Sequence, residues 1–161
     1  MLGGEMKHIT KRIGDIMENN YPFIGTWKLI SWENTGPNGE VTYPYGMHPV
    51  GYLLYSADGY MAAEIMDPDR HQHDTCFPVE PAFAQTLPDK DRLAAYNTYL
   101  SYCGTYSYSI EDGMMTHHVK AGLIPSWAGN DQPRHFTFED GKLFLGDKRV
   151  QLIWERAVRH V

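Results

Sequence analysis

Cysteine is nearly missing from this chain: Cys76 and Cys103 are the two in 161 residues, far apart and outside any Cys-x-x-Cys spacing. That scarcity excludes a zinc knuckle and a disulfide framework, and it predicts free thiols. Clusters of Lys and Arg are missing too, and the formal charge is -6, so no face is built to attract nucleic acid or anionic lipid. No phosphate loop, dinucleotide fingerprint or nucleophile elbow is present, which argues against nucleotide-dependent and acyl-transfer chemistry. The first twenty residues carry Lys7, Lys11, Arg12, Asp15 and Glu18 and no apolar run. They read as neither signal peptide nor membrane span, and predict a cytoplasmic protein.

What is present points to one small-molecule-binding domain. A chain of 161 residues can bury a real core once but not twice, so residues 1–161 read as a single domain. Eleven Tyr and four Trp supply apolar bodies with polar tips, which suit a pocket that is neither purely apolar nor wet. The expected partner is a hydrophobic small molecule, and a homodimer is left open.

Ile9, Ile13, Ile16 and Met17 recur at helical spacing, predicting a short amphipathic helix over 6–19 within an N-terminal extension, 1–22. From Phe23 onward the period changes to two, and turn signals ("PNG", "ADG", "EDG" twice) separate segments rich in Val, Ile, Thr, Tyr and Trp. Strands are predicted near 23–34, 40–45, 50–56, 60–66, 103–110, 114–121, 132–138, 142–146 and 148–157. Residues 67–102 interrupt them with a polar loop and a helical insert near 81–102, whose Leu93, Tyr96 and Leu100 suit one helix face. Such an insert could lid an open end. Consecutive short strands without a parallel crossover predict an all-β fold, a closed up-and-down antiparallel barrel of eight to ten strands, because closure removes unpaired edges.

Four segments in order, "GTWKLISWE" at 25–33, "TYPYGMHPVGYLLYSADGYMAAEI" at 42–65, "THHVKAGLIPSWAGNDQPRHF" at 116–136 and the late "WERA", resemble the bacterial and fungal lipocalin-like domain family. The resemblance covers most of the chain after residue 22. It implies a small closed barrel with an internal cavity, and some cofactor-free cyclases and isomerases of natural-product pathways use similar barrels. It also implies that Arg156 packs over Trp27 of the Gly-x-Trp motif as a cation–π plug.

Strand alternation sorts candidate site residues, since neighbours face opposite sides of a sheet. Lys28 should face water, which sends Trp27, Leu29 and Ser31 inward, Ser31 leaving room for a ligand. Lys120 should face out with Thr116 and His118, leaving Met115, His117, Val119 and Ala121 inside. Arg134 goes in with Phe136 and Phe138, and Arg156 with Val150, Leu152 and Trp154. An inward arginine needs an anion, a carboxylate or an aromatic face, because an isolated buried charge costs several kcal/mol.

His117 is the natural proton shuttle, its imidazole titrating near working pH, with Arg134 as charge stabiliser and Tyr106 as a second proton carrier. Tyr43, Tyr45, Tyr52, Tyr55, Trp127 and Trp154 are candidate ligand contacts. His118 joins them only if a bulge re-aims its strand, and Glu64 is added as a mid-strand carboxylate whose alternation says outward. No metal or other cofactor is expected: "HQH" at 71–73 lacks a Glu at cupin spacing, and adjacent His117 and His118 face apart. A haem site at His160 would want a glycine pattern near the first strand that this chain lacks. The leading expectation is a cofactor-independent cyclase, isomerase or dehydratase acting on a hydrophobic oxygenated metabolite. The alternative is a carrier or sensor using the same cavity.

Overall fold

The computed structural model describes residues 22–70 and 87–158. The helix predicted over 6–19, the "HQH" segment, Cys76 and His160 lie outside these residues. In chain order the elements are β1 (Gly25–Thr35), β2 (Val41–Thr42), β3 (Val50–Tyr55), β4 (Tyr60–Met66), α1 (Asp89–Asn97) and β5 (Tyr99–Ser109). There follow β6 (Met114–Gly122), a 3-10 turn at Pro125–Trp127, β7 (Asp131–Glu139), β8 (Lys142–Gly146) and β9 (Val150–Arg156).

Each strand pairs antiparallel with the next along β1-β3-β4-β5-β6-β7-β8-β9, and β9 returns to β1. Eight strands therefore close a barrel, and the two-residue β2 pairs only with the far end of β1. Period-two chemistry becomes geometry most cleanly in β3 and β4, where Leu53, Tyr55, Met61, Ala63 and Ile65 are buried and their neighbours are not. The β7–β8 hairpin turns on Asp140-Gly141, both at positive φ (49° and 75°), a pairing whose twist matches the flanking strands. Among the described residues no helix is long and apolar enough to cross a membrane.

Two bulges reset the alternation. Between Leu29 and Ser31 the register of β1 on β9 slips, so Ser31 sits opposite Ile153 and Trp32 opposite Leu152. Trp32 thereby turns toward the cavity that it lines, while Ser31 is buried without lining it. A second slip at Cys103/Gly104 pairs Gly104 with Val119 but Cys103 with Ala121, which leaves Ala121 exposed instead of inward. Glycine is required there: a Cβ on Gly104 would lie 2.0 Å from the His118 carbonyl oxygen.

The start of β1 closes one barrel end. Phe23 is fully buried against the rings of Tyr55, Phe136 and Phe138, and its carbonyl accepts the Trp27 indole N–H at 2.8 Å. Arg156 pairs with Trp27 across the sheet and holds its guanidinium carbon 3.9 Å from the ring centroid, while donating to the Ile24 and Pro22 carbonyls. This is the expected plug, with Arg156 capping Trp27 from the exposed side.

The helical insert ends earlier than expected. α1 stops at Asn97, and β5 begins at Tyr99, four residues before the predicted start at 103. Leu93 and Tyr96 are exposed, and Leu100, expected on the same helix face, is buried on the strand. No residue of α1 is buried.

Candidate functional site

At the end opposite the Trp27 plug the barrel holds a cavity of about 320 Å³. That lies near the lower bound of the roughly 300–1,000 Å³ usual for small-molecule sites. Leu53, Ile65, Leu100, Leu145 and Leu152 supply apolar wall, and Trp32, Trp127 and Trp154 supply ring faces. Tyr45, Tyr102, His117 and Arg134 bring polar atoms to the same space.

At the floor, His117 is 1% exposed and held on both sides. The Tyr55 hydroxyl lies 2.6 Å from its Nε2, and the Tyr102 hydroxyl lies 2.9 Å from its Nδ1. Burial, the Arg134 charge and neighbouring His118 lower the imidazole pKa to about 3, so the ring is neutral at physiological pH. Burial also raises both tyrosines, Tyr55 well above its ordinary value, against the opposing pull of Arg134.

A neutral imidazole has one N–H and one acceptor nitrogen, so the three groups must share protons in a definite order. The Tyr55 hydroxyl has Nε2 as its hydrogen-bond partner among the described residues, so its proton is satisfied by donation there. Nδ1–H then donates to the Tyr102 oxygen. The Tyr102 O–H is thereby left to donate into the cavity that its side chain lines.

Arg134 stands on β7 beside this chain, 5.9 Å from the Trp127 ring centroid, and Trp127 meets the Tyr102 ring edge-on. No carboxylate among the described residues forms an ion pair with Arg134. Deeper in the cavity Trp154 is 2% exposed, and its Nε1 is a buried polar atom without a hydrogen-bond partner among the described residues. Such an orphan costs about 1–3 kcal/mol unless something bound accepts from it.

Of the residues expected from sequence, the cavity gathers His117, Arg134, Tyr45, Trp127 and Trp154, with Tyr55 directly behind His117. The others stand elsewhere. Ser31 is buried but does not line the cavity, and it donates to Glu33 at 2.8 Å. Tyr43 is half-buried in the loop after β2 and does not line the cavity. Tyr52 alternates outward into a shallow external groove with Lys28 and Glu155. Glu64 also faces out, accepting hydrogen bonds from Tyr99 and, at 3.0 Å, from Ser101. Tyr106 packs its ring on Tyr55 but donates its proton to the Ser56 carbonyl at 2.9 Å, in the β3–β4 turn and away from the cavity.

His118 occupies the outer face of β6. Its Nε2 lies 2.9 Å from Ser107 Oγ and its Nδ1 2.7 Å from Asp131 Oδ1. That is the order of a hydrolase triad, yet all three side chains lie on an open strand surface whose backbone N–H groups belong to the ladder, so no oxyanion donor accompanies them. Among the described residues no group of three or more His, Cys, Asp or Glu side chains could hold a metal ion.

Two cavity residues escaped the sequence reading. Trp32 was hidden by the bulge, which leaves no mark in composition or period. Tyr102 could have been found: Leu100, Tyr102 and Gly104 continue the inward face of β5 at period two, but Leu93, Tyr96 and Leu100 compete for the same segment at helical spacing.

No curated protein matches the chain at a significant level. A lipocalin-like protein from Bacteroides uniformis is similar in structure at 10% identity and a TM-score of 0.47, covering 84% of this chain and 99% of its own. The wild-type fluorescent protein UnaG is similar at 15% identity and a TM-score of 0.35, covering 88% and 99%. Both likenesses are too loose to bear on what the cavity holds. The lipocalin-like domain model, by contrast, matches residues 24–160, nearly the whole barrel, and the chain belongs to the lipocalin-like domain family.

Proposed function

We propose that the chain binds a hydrophobic, oxygen-bearing small molecule in its barrel cavity. The observation that carries this reading is the cavity itself, about 320 Å³ with largely apolar walls into which Tyr102 and Arg134 bring their polar atoms. A packed core would have no use for that combination, because a half-buried cation with no carboxylate partner among the described residues is best placed beside a polar acceptor. A bound oxygen supplies that acceptor.

A second reading is favoured by the proton chain. In it the protein is a cofactor-independent isomerase, cyclase or dehydratase, and Tyr102, backed by His117 and Tyr55, hands a proton to the substrate while Arg134 stabilises developing negative charge on oxygen. His117 then acts through Tyr102 as a relay, since both its nitrogens are engaged and its pKa, near 3, makes it a weak base.

The test is a thermal-shift screen of hydrophobic ketones, phenols and acids, followed by mass analysis of each bound compound after prolonged incubation. A saturable shift with one molecule per chain supports binding. Recovery of the compound unchanged supports a carrier, and a change of mass or isomer that requires Tyr102 supports an enzyme. No saturable binder from a broad screen would overturn both readings.

A further inference from the structure

Apart from the Tyr45 hydroxyl, which can donate or accept, the polar groups at the cavity wall offer donors, and that surplus bears on what the cavity accepts. The Arg134 guanidinium has only donors to offer. In the tautomer that lets Tyr55 donate to Nε2, Tyr102 receives Nδ1–H of His117 on its oxygen and presents its own O–H. Trp154 carries a buried indole N–H with no acceptor among the described residues. His117 offers neither nitrogen, both being taken by tyrosine hydroxyls. No Asp, Glu, Asn or Gln lines the cavity among the described residues, so the walls present no side-chain carbonyl or carboxylate oxygen. A ligand bearing an ammonium would find no carboxylate on the cavity wall among the described residues and would face the Arg134 charge across a low-dielectric space.

We propose that the natural ligand carries an anionic oxygen head, a carboxylate or a stabilised enolate, received by Arg134 and the Tyr102 hydroxyl, with its apolar body against the tryptophan and leucine wall. This deepens the proposed binding function and rests on it. Arg134 supplies the charge and Tyr102 a directed hydrogen bond, a pairing that is stronger than neutral contacts because the acceptor is ionised. In the enzyme reading the same head is the oxygen on which charge develops.

Three fluorescent probes of one size test the inference: 2-naphthoate, 2-naphthalenemethanol and 2-naphthylmethylammonium, titrated at pH 7.5. The expected order is carboxylate tightest by roughly tenfold or more over the alcohol, with the ammonium weakest, as charge-assisted hydrogen bonds require. Arg134→Gln should collapse the carboxylate-to-alcohol ratio toward one, and Arg134→Lys should restore part of it. Tyr102→Phe should reduce the ratio without reversing it. Each variant is checked by its melting temperature, and Arg134→Lys keeps the test valid should Arg134→Gln fold poorly. Equal binding of all three probes would overturn the anionic head while leaving the binding cavity standing, and so would a ratio unchanged in a folded Arg134→Gln. If none of the three binds at millimolar concentration, the anionic head falls along with the binding reading beneath it.

Discussion

His117 and Tyr102 are joined at 2.9 Å through Nδ1, on the inner face of neighbouring strands, and the pair marks the boundary between the packed end of the barrel and its cavity. Below it Tyr55 completes the chain from inside the core; above it Arg134 and Trp127 open toward the ligand space. The two tyrosines therefore differ in role although they touch the same ring.

Removing either hydroxyl should show that difference. Tyr55→Phe and Tyr102→Phe each leave one nitrogen of a buried imidazole without its partner, which costs about 1–3 kcal/mol. Urea denaturation should register a loss of that size in both variants. Probe affinity should fall in Tyr102→Phe and stay within about twofold in Tyr55→Phe, and equal losses of affinity would contradict the assigned order of protons.

The neutral state of His117 makes stability depend on acid. Unfolded, the imidazole titrates near 6.5; folded, it is held near 3, so between these values the unfolded chain binds one more proton than the native protein. Stability contributed by the neutral ring is complete above pH 6.5 and is lost as pH falls toward 3. Between pH 6 and pH 4 the wild type should lose up to about 1.4 kcal/mol per pH unit more than His117→Gln does. Parallel pH profiles for the two proteins would show that the ring titrates normally.

Arg156 should be a stability residue and nothing more. Its guanidinium covers Trp27 and donates to the Ile24 and Pro22 carbonyls at the closed end, well away from the cavity. Arg156→Ala should cost on the order of 1–3 kcal/mol in chemical denaturation, from the lost cation–π contact and two orphaned carbonyls. Ligand affinity, read under conditions where the variant is folded, should not change.

The second bulge gives a sharper test of the backbone. Gly104→Ala would drive a Cβ into the His118 carbonyl, so the β5–β6 register must shift or strain. A loss of about 2–3 kcal/mol or more is expected, as for overpacking in a close-packed interior. A neutral outcome would mean that the bulge tolerates a side chain.

These tests also mark where the sequence was legible. Barrel closure, the Trp27–Arg156 plug and the inward set Met115, His117 and Val119 follow from period-two patterning and turn chemistry, together with the family resemblance that pairs Arg156 with Trp27. Arg134 beside His117 follows from the same alternation. Trp32 and Ala121 do not, because each lies past a bulge, and one extra residue inverts the faces beyond it. Tyr102 was obscured by a local competition between helical and strand periods, which tertiary pairing of β5 with β4 resolves in favour of the strand. Glu64 was legible as an outward-facing residue, and the structure keeps it on the outer face, whereas Tyr52, expected as a ligand contact, is carried outward by the alternation of β3.

The most direct measurement of the central claim is a crystal structure of the protein saturated with whichever naphthyl probe binds tighter. The account expects one molecule inside the barrel, its ring against Trp127 and Trp154 and its oxygen within hydrogen-bonding distance of Arg134 and Tyr102. Density confined to the outer groove at Tyr52 and Lys28, with the interior unchanged at saturation, would contradict it.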